Sequence, residues 1–342
     1  MRMMKALGQT QFGGTEVLKE VSLPVPELRV TDLLVRVKAV GINPADTQVR
    51  ANVGGVGQLQ QEAVVVTGWD GAGMVEEVGS AVGGRFRPGD EVFFAGDLTR
   101  RGCHAEYVAV DSRLAGHKPA SLSFAESAAV PLAALTVWEG MIEGCGIPRE
   151  PRLGNPQRAL VVGGAGGVGT MAIQILSRVC GLQVVATASR RESAEHCRKM
   201  GASVVIDHYK NMKEQLSASG IASVDYVLNT ADPNTHFEAL TALLAPLGKM
   251  CCIQPITKPV NLAPLFQRRI SVVFEAMFAR SMLRVSPEAQ GAILDHVSML
   301  LDAGTLRTPL VKKLLWTVAA LAEAHALSET GRAIGKTVLA PV

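Results

Sequence analysis

The sequence predicts an α/β chain in two parts, a turn-rich all-β part followed by a doubly wound parallel sheet. Three observations carry this. The chain has 342 residues, enough for two cores at roughly 100–200 residues per domain. Residues 1–127 read as short strands broken by glycine and proline turns. Beyond them strands and helices alternate, the pattern of a parallel sheet covered on both faces.

In the first part, "LLVRVKAVGINPAD" alternates apolar and polar residues before a turn. "GAGMVEEVGSAVGGRFRPGDEVFF" holds two strands around glycine turns and an "RPGD" corner, the turn density of a small barrel. At "SLSFAESAAVPLAALTVWEGM" the period becomes helical, with Ser123 as N-cap and Glu126 completing a capping box. The second domain begins here. A loop with Pro148, Pro151 and Pro156 leads into "LVVGGAGGVGTMAIQILSRVCGLQVVATASRR", Leu160 to Arg191, read as strand, glycine turn, helix and strand. "SVVID", "VDYVLNT", "GKMCCIQ" and "ISVVFEAMF" follow as strands, with helices at "SAEHCRKM" and "THFEALTALLAPL" between them. From about Ser286 the chain is helical and ends on the strand-like "KTVLAPV".

Composition excludes several classes. Hydrophobic residues make up 48% and charged residues 19%, and no apolar run reaches the ~18 residues that would span a bilayer. The start lacks an export signal, so a soluble cytoplasmic protein is expected. A net charge of +3 without a basic stripe argues against a nucleic-acid partner. The six cysteines form no C-x-x-C pair and suit buried reduced thiols.

Gly164, Gly166 and Gly169 form G-x-G-x-x-G between a strand and a helix that Gly181 stops. In that setting glycines let the backbone turn tightly and approach a pyrophosphate, met by the amides of Ala165, Gly167 and Val168 and by the helix N-terminus. A dinucleotide is the expected ligand. An NAD site puts a carboxylate at the end of the next strand for the ribose hydroxyl. Here that position reads Thr187, Ala188, Ser189, Arg190, Arg191, with no acid before Glu192. Hydroxyls and guanidinium groups fit a 2′-phosphate. NADPH is therefore expected, although a solvated basic loop is the alternative for the two arginines.

"GINPADTQVR", "GWDGAGMVEEVG", "RPGDEVF", "HAEYVAVD", "KPASLSFAESAAVPLAALTVWE", "GGAGGVG", "MGASVVIDH" and "GKTVL" occur in the order found in the medium-chain dehydrogenase/reductase superfamily. The chain resembles that superfamily over nearly its whole length, and within it the zinc-free, zeta-crystallin-like quinone oxidoreductases. "MFARSM" is also similar to a segment of proteins called zinc-type alcohol dehydrogenase-like. The resemblance implies a GroES-like catalytic domain over residues 1–127 and a Rossmann domain over 128–280. It also implies that residues 281–342 return to the catalytic domain, and that the site lies in a cleft between the domains.

The resemblance also allows a test for zinc. Where zinc alcohol dehydrogenases carry Cys and a His-Glu pair, this chain has Asn43, Trp69 and Asp70, and "FAGDLTRRGCHAEY" offers only Cys103 in place of a four-cysteine lobe. Tetrahedral zinc needs Cys, His or carboxylate ligands, so no zinc is expected. The acceptor should then be a quinone or an α,β-unsaturated carbonyl, whose conjugation spreads the charge that hydride brings. Asn43, Asp46, Trp69 and Thr136 are the catalytic candidates. Asn43 would donate an amide hydrogen bond, or simply cap a turn before Pro44. Asp46 would orient it or the ribose. Thr136 would lie by the nicotinamide or pack its helix.

Two departures from relatives stand out. No tyrosine stands in "ANVGGVGQLQQ", shortly after the "NPADTQVR" region, and Tyr107 reads as barrel core, which leaves water as the expected proton donor. Ser193 and His208 stand where some relatives have Lys and Tyr, which puts weight on Arg190 with His208 as a further contact. Two other functions compete. One is an enoyl-thioester reductase with Arg268 and Arg269 at a basic entrance, and the other an NADPH-binding protein with little turnover. A homodimer paired through "ISVVFEAMF" is expected.

Overall fold

The computed structural model describes residues 2–150 and 157–341, so Pro151 and Pro156 of the expected loop lie outside the described residues. The chain forms two compact units. One comprises Met1–Leu132, Phe278–Gly304 and Thr308–Val342, and the other Ala133–Met277 with Thr305–Arg307.

The first unit opens with the antiparallel pair β1 (Met3–Gly8) and β2 (Lys19–Pro24). The long β3 (Asp32–Gly41) follows, then helix α1 (Pro44–Ala51), β4 (Asp70–Val78), β5 (Glu91–Ala95), β6 (Tyr107–Asp111) and β7 (Ala115–His117). Helix α2 (Phe124–Ala128) starts on the expected capping box: Ser123 N donates to Glu126 Oε2 at 2.9 Å and Glu126 N to Ser123 Oγ at 3.3 Å. Helix α3 (Pro131–Val137) contains the division between the units.

The second unit holds β8 (Arg158–Val162), α4 (Gly167–Gln174), β9 (Gln183–Thr187), α5 (Arg191–Met200) and β10 (Val204–Ile206). It continues with α6 (Met212–Ala218), β11 (Val224–Asn229), α7 (Pro233–Leu243), β12 (Leu244–Cys252), α8 (Ala263–Arg268) and β13 (Ser271–Phe274). The strands lie parallel in the order β10-β9-β8-β11-β12-β13. The chain steps outward from β8 to β10 and restarts on the other side of β8. That reversal is the switch point at which open α/β sheets take ligands. The strand interiors are continuously apolar, because both faces are covered, and Leu160, Val185, Val227, Phe237 and Met250 share one core.

The chain then returns to the first unit through α9 (Ala279–Leu283), α10 (Glu288–Asp302), β14 (Leu310–Leu315), α11 (Val318–Glu329) and β15 (Lys336–Ala340). The expected strand at "ISVVFEAMF" is confined to Ser271–Phe274, and β14 was not anticipated. β15 is the insertion that matters: it pairs parallel with β14 and antiparallel with β3, setting Val338 opposite Gly41. The resulting sheet runs β14-β15-β3-β4-β5-β7, with β6 on β3. Leu33, Val35, Val75, Phe86 and Phe94 fill its core. All six cysteines are free and buried, and burial pushes each thiol above its ordinary pKa. Among the described residues no helix is long and apolar enough to cross a membrane.

Candidate active site

In the second unit the three turn glycines do different work. An added Cβ on Gly164 would stand 2.7 Å from Ala186 Cβ and 3.0 Å from Cys197 Sγ, and one on Gly169 would stand 2.3 Å from Gly163 O. Those two glycines let β8, β9, α4 and α5 close on one another. At Gly166 the added carbon would meet only Gly163 O, at 3.6 Å. Space is open there, in front of the α4 N-terminus, where Gly166, Gly167 and Val168 are half-exposed. A cradle that protein atoms leave open, edged by backbone amides, fits a pyrophosphate. Ala165 is buried in the turn.

The neighbouring edge sorts the remaining cofactor candidates. Thr187 is buried, its Oγ1 accepting from Gly163 N at 3.0 Å, so it shapes the turn from within. Ser189 is exposed, and Arg190, half-buried at the α5 N-cap, lies 3.2 Å from Glu192. Arg191 points to solvent and pairs with Glu195 at 2.9 Å. Ser193 is buried. His208 follows β10, half-buried, with its Nδ1 enclosed and unpartnered among the described residues. The expectation of a basic entrance at Arg268 and Arg269 fails for Arg268, which donates to Thr241 O at 2.6 Å and Leu244 O at 2.9 Å and so caps the end of α7.

In the first unit the pairing of β15 with β3 builds a buried polar cluster. Lys336 Nζ donates to Asn43 Oδ1 at 2.5 Å, Asp70 Oδ2 at 2.7 Å and Ile42 O at 3.0 Å. Asn43 Nδ2 donates to Asp70 Oδ2 at 3.1 Å and Gly41 O at 3.4 Å. Asp70 Oδ1 accepts from Leu132 N at 3.1 Å. Both amide hydrogens of Asn43 thus have protein acceptors, and its oxygen holds an ammonium group. Asp46, three residues into the turn, accepts from Asn43 N at 2.6 Å and Gly68 N at 2.9 Å. Burial raises the Asp46 carboxyl from 3.8 to about 7 against those backbone donors and Lys336, with Asp70 adding to the rise.

Trp69 is buried, its Nε1 donating to Arg100 O at 3.3 Å and its ring edge-on to Phe278 at 6.0 Å. Thr136 is buried on α3. The cluster therefore gathers Asn43 and Asp46 with Asp70 and Lys336, the last two not anticipated as candidates. The carboxylate at Asp70 was visible in "GWDGAG", but Lys336 lies 293 positions from Asn43 and only strand pairing joins them.

The donor set does not fit zinc. It offers one amide oxygen and two carboxylates: Asn43 Oδ1 and Asp70 are already bonded to an ammonium whose charge would repel a second cation, and both oxygens of Asp46 are taken by backbone amides. Among the described residues no group of three His, Cys, Asp or Glu could hold a metal ion.

Residues 29–138 match the alcohol dehydrogenase GroES-like domain, and residues 200–339 match the family described as zinc-binding dehydrogenase. A zinc-type alcohol dehydrogenase-like protein of Staphylococcus epidermidis is 30% identical over 98% of this chain and 99% of its own length. An NADPH-dependent alkenal/one oxidoreductase of Arabidopsis thaliana is 28% identical over 99% of this chain and 80% of its own. Among solved structures, one from Rhizobium etli CFN 42, provisionally named a zinc-dependent alcohol dehydrogenase, superposes with a TM-score of 0.92 at 38% identity, covering 100% of this chain and 99% of that one. The quinone oxidoreductase of Coxiella burnetii superposes with a TM-score of 0.82 at 26% identity and 100% coverage of both. With a GroES-like unit, a Rossmann unit and these relatives, the chain belongs to the medium-chain dehydrogenase/reductase superfamily of nicotinamide-dependent oxidoreductases, among its zinc-type alcohol dehydrogenase-like proteins.

Proposed function

We propose that this protein reduces α,β-unsaturated carbonyls or quinones with NADPH and without zinc. The observation that carries this reading is Lys336, whose buried ammonium is bonded to Asn43 and Asp70. With no Lewis acid to bind an isolated carbonyl oxygen, the acceptor must spread the incoming charge through its own conjugation. NADPH when bound supplies the hydride. The open cradle at Gly166 receives its pyrophosphate, and Arg190, which stands at a strand exit without an acid and pairs with Glu192 at 3.2 Å, favours the 2′-phosphate.

Asn43 acts here as a positioning residue. It ties Lys336 to Asp70 and keeps the β3–α1 corner in one conformation, while Asp46 fixes the same corner through Asn43 N and Gly68 N. Trp69, buried in the first unit, would shield the acceptor, and Thr136, buried in the second, would shield the nicotinamide. The alkenal/one and quinone activities in the names of two relatives agree with this choice of acceptor. The pinned Arg268 weakens the thioester alternative. The test is NADPH oxidation by metal-stripped protein with an enone, a quinone and a saturated ketone. Turnover of the first two without the third is expected, and recovery of activity only on adding zinc would refute the reading.

A further inference from the structure

Parallel pairing of β9 with β10 sets Thr187 beside Ile206, and Ala188 N donates to Ile206 O at 2.9 Å. The residues that follow, Ser189 and Arg190 on one side and His208 on the other, therefore leave the sheet side by side at its carboxyl edge. His208 does not stand alone. Its ring is 4.3 Å from that of Tyr209 and meets His236, in the first turn of α7, edge-on at 6.1 Å. Its Nδ1 is buried without a partner among the described residues. An enclosed imidazole nitrogen left unpartnered among the described residues, beside a second imidazole, calls for an explanation.

Asp207 adjoins His208, Tyr209 and Lys210 are exposed on the same loop, His236 faces it from α7, and the Arg190–Glu192 pair begins α5. Burial first, then His236, holds the His208 imidazole below its ordinary pKa, with Asp207 opposing. In the free protein burial and His236 thus both disfavour a proton on His208. It gains nothing from a proton until an anion arrives.

We propose that His208, with His236 packed against it, recognises the 2′-phosphate by taking up a proton, so that NADPH binds together with a proton whereas NADH does not. The inference rests on the cofactor reading above and goes beyond it. A dianion within a few ångströms favours imidazolium, and the coupling is reciprocal: the proton strengthens the phosphate as much as the phosphate strengthens the proton. Affinity for NADPH then falls as pH rises through the pKa of the complex, by at most about tenfold per pH unit for one proton. The ligand phosphate has its own second pKa near ~6, so the informative range lies above it.

The experiment measures dissociation constants of NADPH and NADH by nucleotide fluorescence on the full chain between about pH 6.5 and about pH 8.5 at fixed ionic strength. Calorimetry in buffers of different ionisation enthalpy counts the protons. Expected are a fall in NADPH affinity of about three- to tenfold per pH unit, a flat NADH profile and net proton uptake with NADPH alone. The double variant His208→Gln, His236→Gln should flatten the NADPH profile and keep NADH binding, which shows that it is folded. Arg190→Gln should weaken NADPH at every pH and keep the slope. NADPH binding without proton uptake, or an unchanged slope in the double variant, overturns this inference alone. Failure of both nucleotides to bind overturns the cofactor reading and this inference with it.

Discussion

An ammonium group enclosed by protein must place its three N–H bonds, and Lys336 places them on Ile42 O, Asn43 Oδ1 and Asp70 Oδ2. Removing one member of a buried pair strands the other charge, typically at a cost of ~3–5 kcal/mol. Lys336→Met should therefore lose about that much stability in urea, and adding Asp70→Asn should restore part of it. Full stability in the single variant would disprove the pairing. Asp46 gives a pH dependence whose sign can be worked out. Its folded pKa is about 7 against 3.8, so its contribution is fully present below 3.8 and lost as pH rises through about 7. Relative to the parent, Asp46→Asn should gain up to about 3 kcal/mol between about pH 5 and about pH 8. His104 and His325 work oppositely. Burial holds both near 3 against 6.5, so stability is present above 6.5 and lost as pH falls toward 3. Neither His104 nitrogen has a partner among the described residues, and His104→Phe should shallow the acid limb by about 1.4 kcal/mol per pH unit.

A glycine turn is an element in which each position answers to a different neighbour, and that allows contrasting predictions. Gly166→Asp enters open space, so its melting temperature should stay close to the parent's while NADPH affinity drops at least about tenfold through like-charge repulsion. Gly169→Ala meets Gly163 O at 2.3 Å and should lower the melting temperature itself. The reverse pattern would remove the pyrophosphate from the turn. Short-range elements such as this one, and the Ser123–Glu126 capping box, were legible because cause and effect lie within a few residues. Lys336 and β14 were not. The β14 residues alternate weakly beside lysines, and the value of Lys336 comes from a strand pairing that no local pattern announces. His236 stayed hidden for the same reason: it meets His208 only once α7 is packed.

At the scale of the molecule, the strand order of the second unit and the return of β15 into the first unit each bring distant segments to one place. Among the described residues β13 ends the parallel sheet with an unpaired edge and Phe274 exposed, and we expect two copies to pair there. Light scattering should give twice the chain mass, and Phe274→Lys should shift it toward the monomer. The central claim, hydride transfer to a conjugated acceptor without a metal, is tested most directly by the rate of NADPH oxidation in chelator-treated protein shown by elemental analysis to lack zinc. Turnover with an enone and a quinone should equal that of untreated protein, and a saturated ketone should give none. Activity that is lost with the metal and returns with one zinc per chain would contradict it.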